Sequence, residues 1–337
     1  MSAAAVRVGI VGASEIAWRR TLPALRDNPH TVIVAIASRD RQKAERFTAE
    51  FGGAAVQGYQ ALLDRDDVDA VYLPVPNALH HRWARAALEH GKHVLAEKPL
   101  TTSAADTADL IDQAARRGLV LRENFAFLHH GLHRQVAALL RSGRIGSLRH
   151  VDAAFCFPPL PPADVRYQRD LGGGALLDVG VYPVRLAQYF LGDELTVAGA
   201  VLREDPASGV DAAGCAVLAA AGGQTAALTF GFEHSYGSSY QLWGSRGRLF
   251  VDRAFTPPPD RCPVVRITEQ GGTEELSFPA EDQFASSVGA FADAVRRARA
   301  AGTDAGLADW AAPMLRTAEL ADRIGVVAQR VQTAAHV

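Results

Sequence analysis

Cysteine, long apolar runs and an excess of one charge are all scarce in this 337-residue sequence. The three cysteines, Cys156, Cys215 and Cys262, are widely spaced and odd in number, which argues against a disulfide scaffold and gives no metal-binding spacing. The formal net charge is −2 without any run of Lys or Arg, so we expect no nucleic-acid or membrane partner. No apolar stretch is long enough to cross a bilayer. Residues 1–5 carry no basic group and residues 6–11 are needed as a strand, so we expect no signal peptide and a cytoplasmic location.

Apolar residues make up 48% of the chain and charged residues 21%, which at this length is enough for two domains with separate cores. In the first third, short apolar runs alternate with amphipathic patterns. The predicted strands are 6–11, 32–37, 70–74, 93–96 and 120–122, and the predicted helices are 16–27, 40–51, 80–90 and 104–117. Such alternation is typical of right-handed βαβ units with a parallel sheet.

From about residue 148 the pattern changes to short strands with close turns, which favours an open, mostly antiparallel sheet. The predicted strands are 148–157, 195–202, 214–220, 224–232, 239–243, 248–251, 264–268 and 274–278. The predicted helices are 175–191, 283–299 and 308–332.

The first strand runs directly into a turn that resembles the dinucleotide fingerprint G-x-G-x-x-G/A, with Ser14 in place of the second glycine. Gly12 permits the tight turn, and Ala17 is small enough for the helix to pack on the strand. The backbone N–H groups at the helix start then face a pyrophosphate. The predicted cofactor contacts of this turn are Gly12, Ser14, Glu15 and Ile16; the alternative is an ordinary strand–turn–helix of another α/β domain.

The fold class predicted from these patterns is α/β, with an N-terminal Rossmann dinucleotide-binding domain and an α+β C-terminal domain with an open, mostly antiparallel sheet. We place the dinucleotide-binding domain at residues 1–123 and the second domain at residues 124–337.

The end of the second strand bears on the choice of cofactor. NAD sites place an acidic residue there to accept hydrogen bonds from the ribose 2′-OH. Here the chain reads Ser38-Arg39-Asp40, with Lys43 one turn further on. Ser38 can donate to a 2′-phosphate and Arg39 can pair with its charge, which favours NADPH. The alternative is that Asp40 takes the acidic role and Arg39 is a surface residue.

Two further segments carry reactive side chains. Lys98 follows a strand in Glu97-Lys98-Pro99, so it should face the crevice beyond the carboxyl ends of the parallel strands, although a strand-end lysine can simply be solvated. Asp178 and Tyr182, four residues apart behind three consecutive glycines, share a face of the predicted helix. Taken alone, such a pair is more often structural than catalytic.

Residues 12–17, Glu97-Lys98-Pro99-Leu100, Glu123-Asn124 and residues 172–182 together resemble the glucose–fructose oxidoreductase/inositol dehydrogenase (Gfo/Idh/MocA) family over nearly the whole chain. Within it, residues 17–20, 125–135, 145–146, 166–168 and 255–258 are most similar to NADPH-dependent nucleotide-sugar 3-ketoreductases of antibiotic deoxysugar pathways.

The resemblance implies roles for individual residues. Tyr182 is the expected proton donor to a sugar ketone oxygen, Lys98 its electrostatic partner and ribose ligand, and Asp178 an orienting residue. Leu73 and His80 are expected along the cofactor, Asn77 as the cap of the next helix, and Asn124 near the nicotinamide. Further expected cofactor contacts are Pro74, Glu97 and Arg166. The candidates to bind the substrate diphosphate are Arg166, Arg253 and Arg261.

The expected reaction is reduction of the C3 ketone of a TDP-3,4-diketo-2,6-dideoxyhexose. An NADP-dependent dihydrodiol or aldose dehydrogenase and a non-catalytic NADP-binding regulator remain as alternatives. Three histidines, His129, His130 and His133, lack the ligand set of a metal site, so we expect no metal; they line the substrate crevice or satisfy a bend. The resemblance also implies a homo-oligomer, dimer or tetramer, built through the C-terminal sheet.

Overall fold

The computed structural model describes residues 4–332, and these form two compact units. Among the described residues, the first unit consists of residues 4–129 with 283–315, and the second of residues 130–282 with 316–332. A single cut between residues 123 and 124, as predicted from the sequence, therefore does not reproduce the compact units. Residues 283–315 return to the first unit because their apolar side chains, among them Val288 and Phe291, belong to its core.

The first unit contains a six-stranded parallel sheet in the order β3-β2-β1-β4-β5-β6. Its strands are β1 (Val6–Val11), β2 (Thr31–Ser38), β3 (Ala54–Gln57), β4 (Ala70–Leu73), β5 (His93–Ala96) and β6 (Leu121–Glu123). This is the strand order of a doubly wound dinucleotide-binding domain, so the predicted parallel sheet is confirmed. The reversal of strand order between β1 and β4 places the ligand crevice at their carboxyl ends.

Helices cover both faces of this sheet. They are α1 (Leu22–Asp27), which continues a wide turn at Ala17–Thr21, α2 (Arg41–Phe51), α3 (Tyr59–Leu63), α4 (His80–Glu89), α5 (Ala104–Arg117) and the later α8 (Gln283–Ala301). Successive residues of β4 belong to opposite cores: Ala70 and Tyr72 to one, Val71 and Leu73 to the other. A strand buried on both faces explains the continuous apolar runs in the sequence.

The second unit is built on a nine-stranded sheet in the order β14-β13-β12-β11-β7-β10-β9-β8-β15. Its strands are β7 (Leu148–Cys156), β8 (Leu195–Glu204), β9 (Asp211–Ala220), β10 (Thr225–Gly231), β11 (Gly237–Gly244), β12 (Gly247–Asp252), β13 (Val264–Glu269), β14 (Gly272–Ser277) and β15 (Gln329–Gln332). Six of the eight neighbouring pairs are antiparallel, and β7–β10 and β8–β15 are parallel. The expected open, mostly antiparallel sheet is confirmed.

The helices of this unit are α6 (Gly131–Arg141) and α7 (Val181–Leu191), and α7 packs against β7 and β10. The last helix, α9 (Leu307–Val327), contributes its residues up to Leu315 to the first unit and the rest to the second. The helix predicted for 308–332 is therefore too long, because residues 329–332 instead pair with β8 as the edge strand β15. Within residues 4–332, no helix is long and apolar enough to span a membrane.

Candidate active site

The turn after β1 has the geometry that a phosphate-binding loop requires. Gly12 has φ +117°, and a side-chain carbon there would lie 2.9 Å from Cγ1 of Val75, so only glycine fits this position without strain. The Ser14 hydroxyl accepts a hydrogen bond from the Ala17 N–H at 3.3 Å and thereby helps to begin the helix. Glu15 and Ile16, the first helical residues after the turn, are exposed.

The three residues predicted to select the cofactor at the end of β2, and Asp40, the alternative, have distinct environments. Ser38 is buried, and its hydroxyl accepts from the Asp40 N–H at 3.2 Å. Asp40 caps α2, accepting from the backbone N–H groups of Gln42 at 2.9 Å and Lys43 at 3.4 Å. Arg39 and Lys43 are exposed. The carboxylate of Asp40 thus accepts hydrogen bonds from backbone N–H groups. This favours the hypothesis in which Arg39 binds a 2′-phosphate over the one in which Asp40 binds the ribose 2′-OH.

Tyr59 of α3 is a neighbour of Arg39 that the sequence did not reveal, because α3 was not predicted. Burial raises the pKa of Tyr59, and the charge of Arg39 and a hydrogen bond with it oppose the increase. The Tyr59 ring contacts Trp83 edge-on, with ring centroids 5.1 Å apart. Arg39 is therefore oriented by a tyrosine that is itself fixed by packing.

The predicted cofactor residues after β4 divide into core and turn positions. Leu73 and Pro74 are buried, with Leu73 in the core of the first unit. Asn77 lies in a one-turn helix, Asn77–Leu79, and the N-cap position of α4 is Leu79, so the prediction that Asn77 caps this helix is wrong. The chain reaches helical geometry a turn earlier than the sequence indicated.

His80 is fully buried and joins two backbone segments of the first unit. Its Nδ1 lies 2.7 Å from the carbonyl oxygen of Pro99, and its Nε2 lies 2.7 Å from that of Val75. Burial lowers the pKa of His80, and its contacts with these carbonyl oxygens oppose that decrease. His80 thereby ties the segment that follows Lys98 to the segment that follows β4.

Lys98 follows β5, next to a partly buried hydrogen-bond network centred on Glu97. One carboxylate oxygen of Glu97, Oε1, accepts from the phenol of Tyr72 at 2.7 Å and from Nδ2 of Asn124 at 2.8 Å. Oδ1 of Asn124 in turn accepts from the hydroxyl of Ser287 on α8 at 2.8 Å. Burial raises the pKa of Glu97, while Tyr72, Asn124 and the charge of Lys98 favour its ionised form. The network joins two predicted residues, Glu97 and Asn124, with two that the sequence did not single out.

In the second unit, Asp178 and Tyr182 lie on one continuous helical segment that opens with a wide turn, Leu176–Gly180, and continues as α7. The Tyr182 ring is partly buried and packs edge-on against Phe155, at 5.0 Å between centroids, and against Phe255, at 5.6 Å. Two aromatic rings thus fix the direction of the phenol, as a positioned proton donor requires.

Arg166 and Asp178 form an ion pair that the sequence did not predict. Nε of Arg166 donates to Oδ2 of Asp178 at 2.6 Å, and its NH1 donates to Oδ1 of Asp164 at 3.1 Å. The charge of Asp178 is the main cause that raises the pKa of Arg166. The pair is a charge-assisted contact at the start of the helix that carries Tyr182.

The three glycines before this helix allow close packing rather than flexibility. A side chain on Gly173 would collide with the backbone oxygen of Arg166, and one on Gly174 would collide with Oδ1 of Asp211. Asp211 also accepts from the Leu176 N–H at 2.6 Å and so holds the first turn of the helix. Asp211 was not predicted as a site residue, because it lies 37 residues from Gly174 in the sequence.

The three histidines have structural contacts within their own units. His129 stacks on Trp310 with ring centroids 5.5 Å apart. Nδ1 of His130 accepts from the Leu132 N–H at 3.1 Å at the start of α6, and the buried His133 lies 3.2 Å from the phenol oxygen of Tyr240. For His130 this confirms the prediction that a histidine accepts a backbone hydrogen bond at a bend of the chain. Across residues 4–332, no three His, Cys, Asp or Glu side chains are grouped so that they could hold a metal ion.

Comparison with known proteins shows what this chain resembles. Residues 6–125 match the oxidoreductase family with an NAD-binding Rossmann fold, and residues 133–250 match the GFO/IDH/MocA C-terminal domain. The chain is 53% identical, over 320 residues, to the dTDP-3,4-didehydro-2,6-dideoxy-alpha-D-glucose 3-reductase of Saccharopolyspora spinosa, with 95% of this chain and 96% of that protein covered.

Among solved structures, the chain is similar to KijD10, a 3-ketoreductase from Actinomadura kijaniata, in complex with NADP and TDP-benzene. The TM-score is 0.94 and the identity is 50%, over 98% of this chain and 100% of that one. A variant of that enzyme with a tyrosine replaced by phenylalanine is equally similar, with a TM-score of 0.94. These matches confirm the predicted fold class and the resemblance on which the expected roles depend.

Proposed function

This chain belongs to the GFO/IDH/MocA oxidoreductase family, and we propose that it uses NADPH to reduce the C3 ketone of a TDP-3,4-diketo-2,6-dideoxyhexose. The observation that carries the proposal is the likeness to 3-ketoreductases over nearly the whole length of both chains. The positions of Lys98 after β5 and of Tyr182 between two aromatic rings support it.

The residues of the first unit fit NADP. At Gly12 the missing side chain leaves bare backbone where a pyrophosphate must approach closely. At the end of β2, Asp40 is engaged as the cap of α2, whereas the exposed Arg39 offers a cation for a 2′-phosphate. This arrangement favours NADP over NAD. Bound NADPH supplies the hydride that reaches the ketone carbon.

Tyr182 donates the proton that the reduction requires. As the ketone carbon gains a hydride, negative charge develops on its oxygen, and the phenol O–H transfers its proton there to complete the alcohol. The phenolate that remains is reprotonated from solvent. The ammonium group of Lys98 stabilises the negative charge, and a free phenol, a weak acid near neutral pH, needs such support.

Asp178 acts as an orienting residue through its ion pair with Arg166. Since Asp178 lies one helical turn before Tyr182, the pair fixes the start of the helix from which the phenol projects. Arg166 is engaged by two carboxylates, which fits this positioning role better than the expected phosphate contact.

Each unit has its own ligand, and the enzyme assembles from identical copies. The first unit binds NADP, the second unit binds the TDP-sugar, and the enzyme acts in the cytoplasm as a dimer or tetramer. Val217 of β9 and Trp243 of β11 are large apolar side chains exposed on the nine-stranded sheet, and a second copy would cover such a face. Analytical ultracentrifugation tests this: a monomer at micromolar concentration contradicts it.

The activity test is NADPH consumption with enzymatically generated TDP-3,4-diketo-2,6-dideoxyhexose, for the wild type and Tyr182→Phe. We expect rapid oxidation by the wild type and a loss of about 100-fold or more in the variant, the usual contribution of a positioned acid. Tyr189→Phe is the matched control, because Tyr189 lies on the same helix seven residues further and is partly exposed. This control should stay within about twofold of the wild type.

The outcomes separate the competing functions. Tight NADPH binding without oxidation of the diketo sugar would overturn the proposal. Turnover of a dihydrodiol or of D-xylose with NADP⁺ would then identify a dehydrogenase, and binding without any turnover would identify a regulator. Full activity of Tyr182→Phe with the diketo sugar would remove Tyr182 as the proton donor and leave the substrate assignment intact.

A further inference from the structure

Several loops of the second unit meet at the end of the nine-stranded sheet where Tyr182 lies. The carboxyl ends of β7 and β10 coincide there, since Cys156 pairs with Gly231. β11 begins at the same end and β12 finishes there, because Gly237 pairs with Cys156 and Ser239 with Asp252. The loops that follow, residues 232–236 and 253–262, therefore lie at this end of the sheet, and the second of them contacts Tyr182 through Phe255.

Three arginines of this unit were candidates for the substrate diphosphate, and the structure distinguishes them. Arg166 is paired with Asp178 and Asp164. Arg261 donates to Oδ2 of Asp252 at 3.2 Å. Arg253 forms no ion pair with any carboxylate in the part of the chain that the structure describes. Of the three, it alone keeps its charge available for a ligand.

The backbone of Arg253 also has an unusual conformation. Its φ is +54°, and within residues 4–332 no other residue except glycine has a positive φ. A side-chain-bearing residue is disfavoured in this left-handed region, and such residues concentrate at ligand sites, where the surrounding structure holds them in place. The surroundings here are the paired strand ends, since the next residue, Ala254, donates its N–H to the Ser238 carbonyl at 2.7 Å.

Packing fixes the guanidinium of Arg253 as well. It lies 4.3 Å from the ring centroid of Tyr236, which is 40% exposed, and the Tyr236 phenol oxygen lies 3.4 Å from Oγ1 of Thr256. A guanidinium stacked on a ring keeps its N–H groups at the edge, where they can donate to the oxygens of a phosphate. The stack therefore holds the guanidinium of Arg253, a half-buried side chain, against the Tyr236 ring.

We propose that Arg253, stacked on Tyr236, binds the diphosphate of the nucleotide-sugar substrate. The inference rests on the proposed function and identifies the residue that recognises the nucleotide part of that substrate. Arg253 lies two residues before Phe255, whose ring packs against Tyr182. Bidentate donation to phosphate gives affinity for the nucleotide, whereas Tyr182 acts on the ketone.

The test compares TDP binding by isothermal titration calorimetry, and steady-state kinetics with the diketo sugar, for Arg253→Gln, Arg253→Lys and Arg261→Gln. Arg253→Gln should raise the Kd for TDP and the KM for the nucleotide sugar by about tenfold or more, and leave kcat within about threefold. Arg253→Lys should lie between this variant and the wild type, because it keeps the charge and loses the planar fork. Arg261→Gln, the matched control in the same loop, should bind TDP as the wild type does.

NADPH affinity, measured by fluorescence titration, should be the same in all variants and serves as the check that they are folded. An Arg253→Gln variant that binds TDP as tightly as the wild type would overturn the inference, and so would an equal loss in Arg261→Gln. A wild type that neither binds TDP nor turns over the nucleotide sugar would instead overturn the proposed function. Failure of the inference is thus seen in the variants, whereas failure of the proposed function is seen in the wild type.

Discussion

Replacing Asp211 with Asn tests whether a half-buried carboxylate holds the start of the helix that carries Tyr182. Asp211 accepts from the Leu176 N–H at 2.6 Å, and burial raises the pKa of its side chain to about 6, against an ordinary value of 3.8. A raised pKa means that the folded protein binds the proton of Asp211 more tightly than the unfolded chain does.

The magnitude follows from this shift. A difference of about 2 pH units corresponds to about 3 kcal/mol of unfolding free energy. The contribution of Asp211 to stability is greatest below pH 4 and is lost as the pH rises through 6, because the charged form is disfavoured by burial. Asn cannot titrate. The unfolding free energy of Asp211→Asn minus that of the wild type should therefore rise by about 2.5 kcal/mol between pH 4 and pH 7.

The assay is urea unfolding followed by circular dichroism across this pH range. Asp205→Asn is the control, since a hydrogen bond with Ser208 lowers the pKa of Asp205. The expected trend is therefore opposite: the unfolding free energy of this variant minus that of the wild type should fall as the pH rises. A difference between Asp211→Asn and the wild type that does not change with pH would refute the reasoning, because Asp211 would then have the same pKa in the folded and unfolded chain.

Two further predictions concern the first unit. Gly12→Ala places a carbon 2.9 Å from Val75 in a left-handed backbone, so the Kd for NADPH, measured by fluorescence, should rise about tenfold and the unfolding free energy should fall by about 2 kcal/mol. Gly52→Ala, which has φ +81° and an open surrounding, should show the backbone cost without the change in Kd; equal NADPH affinity in Gly12→Ala and the wild type would contradict the predicted phosphate turn. Tyr72→Phe removes a donor from the half-buried Glu97, so urea unfolding should show a loss of about 1.5–3 kcal/mol, and a loss below about 0.5 kcal/mol would show that this hydrogen bond adds little to stability.

The sequence predicted the elements whose signal is local and strong. The five predicted strands of the first unit are all present, because buried parallel strands read as continuous apolar runs. The edge strand β3 (Ala54–Gln57) was missed, since it is short and largely exposed, and α6 (Gly131–Arg141) was missed because three nearby histidines suggested a site rather than a helix. Strand β15 was read as the end of a helix, because its strand conformation comes from pairing with β8, which lies more than 100 residues earlier.

The sequence by itself determined the backbone of the candidate site. A glycine at position 12, a lysine at the end of β5 and a tyrosine behind three glycines are local patterns, and each defines a turn, a strand end or a helix start. The tertiary structure alone decided the partners of the buried polar groups. Ser287 on Asn124 and Asp211 on the Leu176 N–H come from distant parts of the chain. A local pattern fixes backbone geometry, whereas a buried polar group must take whichever partner the packing of remote segments brings within hydrogen-bond distance.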